Sequence, residues 1–439
     1  MNFFVSALIQ YKNFLLILIF AIKKCEGNPK ISWDSSIINK NLDKMILEKE
    51  SSVMCDNEEI VNLEGFELKN IPMNLVKSKT IEGISLKNNK ISEVPSNIFH
   101  ETPNLKCLNL AQNKILFKYF QLEHDRLKKL ILDYQTETEP NEILSIPQKN
   151  VSKIKFPNLE TLSWKYIKYD IFSSTLFPMI KNIYLSDSNL IYVASNITHL
   201  FPYLKNIHLE NNMIQELIAD DFRNVESLYL DKNPLRNLWF NAKYTNLKIL
   251  SLSNSLHNID ITEINIPSLK TLDLSQNQIS FIHEQMFKNI PFLEDLILSE
   301  NKLLKFPNLF YLSNLKTLSL AYNLISEIKN INQLNSLKIL NLQGNQINNI
   351  DKMAFLMLTE LEFLDLSENK LQLLPLDWHD NLSKLKYLNL ESNFFVNIQD
   401  MKLNTLINLR QLYIKNNYIV SIDLNTLQIL PQKCTIYVI

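Results

Sequence analysis

Asparagine stands at positions 277, 301, 323, 345, 369, 393 and 417, each time three residues after an aliphatic pair separated by one residue and two residues before another apolar side chain. One copy runs Leu269, Leu272, Leu274, Asn277, Ile279 and the next Leu293, Leu296, Leu298, Asn301, Leu303. A unit this short cannot enclose a core alone. Copies must stack, each covering the apolar face of the last. The fourth and sixth positions fall on one side of a short extended segment and are buried together, while the asparagine side chain can bond the backbone where the chain turns away. The expectation is one parallel strand per coil.

Counted from the first consensus residue, fifteen copies start at Ile81, Leu105, Leu127, Leu159, Ile180, Leu204, Val225, Leu247, Leu269, Leu293, Leu315, Leu337, Leu361, Leu385 and Leu409. The ninth position is asparagine in all but four, the exceptions being Gln135, Ile167, Ser188 and Ser255. The pattern resembles the leucine-rich repeat. That resemblance implies an α/β fold, a leucine-rich repeat solenoid curved into a horseshoe with a parallel β-sheet on its concave face. Phenylalanine recurs eighteen residues after the first leucine, at Phe99, Phe222, Phe287 and Phe355, and proline fourteen after it, at Pro95, Pro307 and Pro375. These resemble the "typical" repeat class of extracellular proteins such as Toll-type receptor ectodomains, Slit, chaoptin and the insect immune repeat proteins. The resemblance implies recognition of a protein, a glycan or a microbial product across the concave face. The chain departs from those families in lacking flanking cysteine clusters, a transmembrane helix and a signalling domain.

The domain organisation expected is a signal peptide over 1–27, an N-terminal segment and cap over 28–80, and the solenoid over 81–439 with a truncated last coil. The apolar run Phe14 to Ile22 has the length of a leader core, and Cys25 and Gly27 are small residues suited to cleavage before Asn28. Lys23 and Lys24 directly after that core leave open an uncleaved membrane anchor, and a misread leader would leave an intracellular scaffold. The segment Cys55 to Leu75 is expected to cap the first strand. At the other end Ile436 and Val438 fall at the fourth and sixth positions of a further coil, so an uncovered strand edge and self-association through it are expected. The widest interval, Leu127 to Leu159, holds the insertion ETEPNEILSIPQKNVSK. It reads as a loop extruded from a tolerant repeat, or as one that bends the array or binds.

Cysteines are few: Cys25, expected to leave with the leader, then Cys55, Cys107 and Cys434, with no close-spaced pairs. Cys107 falls at a third consensus position, on the open strand face, and is expected to be a spare thiol. Sequons at Asn150, Asn196 and Asn381 fit a secreted glycoprotein. A net charge of −1 gives no electrostatic case for nucleic acid or an anionic membrane.

An enzyme is not expected. The chain has only 4 glycines, at 27, 65, 83 and 344, too scattered for any phosphate-cradling loop. Four residues after His283 comes Phe287, so the second ligand of a zinc-protease helix is missing. No metal site, catalytic residue or cofactor is expected.

The expected partner is therefore a protein ligand or receptor, with no membrane span in the mature chain. Tyr184, His208 and Tyr229 occupy the fifth position of successive coils, which points away from the core, and Tyr134, Lys165 and Tyr166 flank them. Exposed aromatics beside polar groups anchor interfaces, although cross-strand aromatic pairs also stabilise a sheet. A second, lower-ranked patch is Phe363, Tyr387 and Tyr413.

Overall fold

The computed structural model describes residues 30–32, 53–55, 59–73, 75–115, 120–135, 156–166, 177–193, 197–217, 222, 224–238, 246–256, 264–329, 331, 333–403, 406–420, 430 and 434–438. Its packing divides the chain into two units. The first comprises Lys49–Asp260 and Ile264–Leu272; the second comprises Asp273–Ile439 and takes in Lys30–Ser32. The insertion between Leu127 and Leu159 lies outside the described residues.

In the first unit, three-residue strands pair in parallel and in chain order, from Ile60–Asn62 and Gly83–Ser85 through Cys107–Asn109, Lys129–Ile131, Thr161–Ser163, Asn182–Tyr184 and Asn206–His208 to Ser227–Tyr229 and Ile249–Ser251. Their register puts the fourth-position residues Ile84, Leu108, Leu130, Leu162, Ile183, Ile207, Leu228 and Leu250 in one column, and all are buried. In the second unit the strands from Asp295–Ile297 to Thr435–Tyr437 pair the same way and stack Leu296, Leu318, Leu340, Leu364, Leu388, Leu412 and Ile436. Each unit is a run of leucine-rich repeat coils carrying a parallel sheet. The phenylalanines at 99, 222, 287 and 355 are buried, completing the core behind the strands. Helix is sparse among the described residues: the single turn Ile197–Leu200 and a 3-10 turn at Ile398–Met401.

The asparagines form a hydrogen-bonded spine. Asn323 donates to Leu298 O at 2.9 Å and to Leu320 O at 3.0 Å, and its oxygen accepts from Leu303 N at 3.0 Å. Asn113, Asn212, Asn345, Asn369 and Asn393 repeat the arrangement. Carbonyls at the turn that lack a ladder partner are thereby satisfied without water. Two exceptions supply substitutes: Gln135 donates to Leu110 O and Leu132 O and accepts from Ile115 N, while Ser255 donates to Leu230 O and accepts from Asn233 N. Ile167 lies outside the described residues. The residue before the ninth position has positive φ in all fifteen coils, from Asn254 at 50° to Gly344 at 66°.

A second column runs along the second consensus position. In the first unit it reads Glu82, Lys106, Lys128, Glu160, Lys181, Lys205, Glu226, Lys248, Lys270, and in the second Glu294, Lys316, Lys338, Glu362, Lys386, Arg410. Charge thus repeats every three coils as acid, base, base. Glu160 is bracketed by Lys128 at 3.1 Å and Lys181 at 2.9 Å, and Glu226 by Lys205 at 2.6 Å and Lys248 at 2.7 Å. In the second unit Lys316 meets Glu294 and Lys386 meets Glu362. The flanking ammonium groups hold the carboxyls of Glu160, Glu226 and Glu362 below the usual range.

Two expectations are corrected. The last strand, Thr435–Tyr437, does not end in an open edge: Lys30–Ser32 pairs with it in parallel, Ile436 is buried and Val438 half-buried. A strand edge is covered when an upstream segment of the same chain supplies the missing ladder. Cys107 is not a spare thiol. It is bonded to Cys55, with the Cα atoms 5.7 Å apart, because the segment Val53–Cys55 lies against the strand face onto which the third-position side chain projects. Cys434 is free and buried, and burial pushes its thiol up to about 12.

Candidate binding face

All six residues singled out in the sequence lie in the first unit, on strands or on the turns that follow them. Tyr184, His208 and Tyr229 form one column, with ring centroids 4.2 Å apart at both steps and planes within 11° of parallel. Parallel pairing in exact register places each fifth-position side chain against the next. The stack consumes the ring faces, leaving Tyr184 6%, His208 5% and Tyr229 6% exposed. The expectation of exposed aromatic anchors is therefore not met by these three: they point away from the core yet bury one another.

The column continues into polar contacts. His208 Nδ1 lies 2.8 Å from Glu210 Oε1, and Ser186 Oγ donates to Glu210 Oε2 at 2.6 Å. Burial opposes ionisation of Glu210, but the hydrogen bonds from His208 and Ser186 and the charge of His208 outweigh it, holding the carboxyl below its usual range.

Tyr134 and Tyr166 are the open aromatics, 38% and 46% exposed. Each occupies the turn position with left-handed backbone, φ 54° and 63°, which swings its ring to the border of the sheet. The Tyr134 hydroxyl donates to Asp187 Oδ2 at 2.6 Å, and Asn211 donates to Asp187 Oδ1 at 2.6 Å. Partial burial and the Asp187 carboxylate together raise the Tyr134 hydroxyl above the usual tyrosine range. Beside it, the Lys165 backbone N–H and Ser163 Oγ both donate to Asp133 Oδ1, at 2.9 and 2.7 Å. Burial raises the Asp133 carboxyl in spite of them.

Tyr134 and Lys165 border a groove whose floor includes Asn109 and Ala111 and whose opposite wall is Met54 and Cys55. That wall was invisible in the sequence, because it depends on a disulfide between residues 52 apart. Val53 packs with Ala111, Ile131 and Tyr184, and Lys129 Nζ donates to Met54 O at 2.8 Å.

The lower-ranked patch, in the second unit, is also a ladder. Phe363 and Tyr387 stack at 4.1 Å, Tyr387 and Tyr413 lie 5.1 Å apart, and Tyr437 extends the row at 4.1 Å from Tyr413. On the same strand as Phe363, Asp365 is buried. Burial pushes its carboxyl up to about 6 despite hydrogen bonds from Ser367 and Asn389.

Of the sequons, Asn381 is exposed and donates to Leu356 O at 2.7 Å, whereas Asn150 and Asn196 lie outside the described residues. Among the described residues no helix is long and apolar enough to cross a membrane, and no three metal-ligating side chains gather.

The family model for the leucine-rich repeat matches residues 245–303 and 335–395, and a two-copy leucine-rich repeat model matches 313–355. This is a leucine-rich repeat protein. Its similarity to curated leucine-rich repeat proteins extends further along the chain. Bovine (Bos taurus) osteomodulin is 26% identical over 276 residues, 62% of this chain and 51% of that protein. Rat (Rattus norvegicus) lumican is 28% identical over 267 residues, 55% of this chain and 70% of that one. The chain spans about half the length of osteomodulin and 59% of the length of bovine keratocan, which it also matches. Among solved structures, a Toll–Spatzle complex of Drosophila has a chain that superposes with a TM-score of 0.57 at 19% identity, covering 82% of this leucine-rich repeat protein and 51% of that chain. The likeness is one of fold.

Proposed function

We propose that this leucine-rich repeat protein is a secreted, non-enzymatic binding protein that takes a protein partner on the strand face of its first unit, at the border formed by Tyr134, Lys165 and Tyr166. One observation carries the reading: a half-open tyrosine, Tyr134, and Lys165 line a groove, with the half-open Tyr166 next in sequence to Lys165, while the aromatics Tyr184, His208 and Tyr229 are locked into a rigid column. Open aromatic and cationic groups on a rigid support are the composition of an interface hot spot. The buried column of Tyr184, His208 and Tyr229 serves as that support and presents only ring edges to a partner. The Cys55–Cys107 disulfide fits an oxidising compartment, which favours secretion over an intracellular scaffold. The sequence likeness to osteomodulin and lumican agrees with a binding role. Glycosylation at Asn381 belongs to the same reading, as does a leader removed near Asn28.

The test has two parts. Protein recovered from medium should begin near Asn28, and a start at Met1 with retention by cells would instead favour the membrane-anchored alternative. A species captured saturably from medium by the tagged protein should be lost with Tyr134→Ala, Tyr166→Ala and Lys165→Ala together. Capture that survives this triple change while the melting temperature is unaltered refutes the site.

A further inference from the structure

The Val53–Cys55 segment is laid on the strand face in the manner of a bound peptide. Val53 is buried in one cluster with Ala111 and Ile131, from two neighbouring coils, and Tyr184, at the start of the aromatic column. Its neighbour Met54 turns its own side chain to solvent, while its backbone carbonyl accepts from the Lys129 ammonium. Alternation of a seated side chain with an outward one, plus a main-chain hydrogen bond, is how extended peptides are held on a protein surface. Nothing in the coil pattern requires this segment. The cap strand Ile60–Asn62 already pairs with Gly83–Ser85 and closes the sheet without it.

We propose that the strand face at Ala111, Ile131 and Tyr184 is a binding site for an extended peptide, and that Val53–Cys55 is the chain's own occupant of it, pinned there by the bond to Cys107. This rests on the strand face being the binding face. The external occupant it fits is a segment with a branched aliphatic side chain followed by an accessible backbone carbonyl. Such a segment binds only after the resident one has been lifted. The groove bordered by Tyr134 and Lys165 runs alongside the resident segment, so a partner gripping those residues sits next to it.

The probe is a labelled peptide of residues 49–57 carrying Cys55→Ser. Full-length protein with Val53→Asp, Cys55→Ser and Cys107→Ser has its own segment untethered and unable to seat a valine. It should bind the probe saturably, and the wild-type protein should leave it free. A probe carrying Val53→Asp should bind at least tenfold more weakly, because burying a valine side chain is worth about that factor. Ile131→Asp in the opened protein should have the same effect. If the opened variant fails to fold, a protease sequence substituted over residues 56–58 of the otherwise wild-type protein loosens the segment afterwards: the folded protein is cut, then reduced, and it should then bind the probe saturably, which the uncut protein should not. The proposal is overturned if the probe binds neither form, if it binds wild-type and opened protein equally, or if the Val53→Asp probe binds as well as the native one. Probe binding as expected with partner capture unaffected by the Tyr134, Tyr166 and Lys165 changes would refute the proposed function alone. Capture lost with no probe binding would refute only the self-occupied site.

Discussion

Asn323→Ala tests the reasoning about the spine most directly. The side chain is 3% exposed and makes two close donations and one acceptance. Removing it does not strip the carbonyls bare: Leu298 O still receives Asn301 and Leu320 O still receives Asn345. The Leu303 N–H is left without its partner. Two lost hydrogen bonds at roughly 1 kcal/mol each, plus roughly 1–3 kcal/mol for one orphaned buried donor, give an expected loss of about 3–5 kcal/mol. Asn323→Ser should cost less, because Ser255 shows that a hydroxyl at this position can still donate across to the preceding coil and accept a backbone N–H. Urea unfolding followed by circular dichroism and by fluorescence of Trp378, which is buried in the same unit, provides the measurement. A loss under about 1 kcal/mol for the alanine variant, or a serine variant no better than alanine, would mean that water or backbone adjustment satisfies the turn and that the spine is decorative.

Three further outcomes follow from the geometry. Gly344→Ala should destabilise by about 1–2 kcal/mol, since a Cβ there would lie 2.3 Å from Tyr322 Cδ1 on a backbone with φ +66°; Tyr322→Ala in the same chain should recover part of the loss in thermal unfolding, and no recovery would assign the cost to φ alone. Asp365 holds its proton to about pH 6 when folded and releases it near pH 4 when unfolded, so it supports the fold below about pH 4 and that support is lost as pH rises through 6; Asp365→Asn should therefore gain on the wild type by up to about 3 kcal/mol between pH 4 and 7, and parallel stability profiles would refute the assignment. Tyr184→Ala with Tyr229→Ala should lower the melting temperature by several degrees, because both rings pack on His208; an unchanged melting temperature would show that the column contributes nothing to folding.

The strands were legible in the sequence because burial alternates with a period of two and the asparagine marks where each one ends. Leu108, Leu130 and Ile183 sit where that alternation put them. The left-handed residue before the asparagine was not legible, since fifteen coils fill it with Asn, Gln, Tyr, Asp, Lys, Glu, Ser and a single Gly. No composition signal survives when the coil imposes the φ. For the candidate site, the sequence placed Tyr184, His208 and Tyr229 in one column but missed their burial. A fifth-position side chain leaves the core, yet planar rings at roughly 4.8 Å strand spacing shield each other. The disulfide and the seated Val53 depend on a tertiary approach that spacing alone does not encode.

The acid-base-base column sets a unit of growth longer than the coil. Glu226, Glu294 and Glu362 are 68 residues apart at each step, three coils, whereas the hydrophobic pattern is indifferent to one coil more or fewer. Excising a coil that carries a glutamate would leave four basic side chains in succession, and excising one that carries a lysine would leave a single base between two glutamates, whereas excising three would restore every neighbour. An array lengthened or shortened therefore keeps each glutamate between two bases, and each base beside one glutamate, only when coils are added or removed in threes.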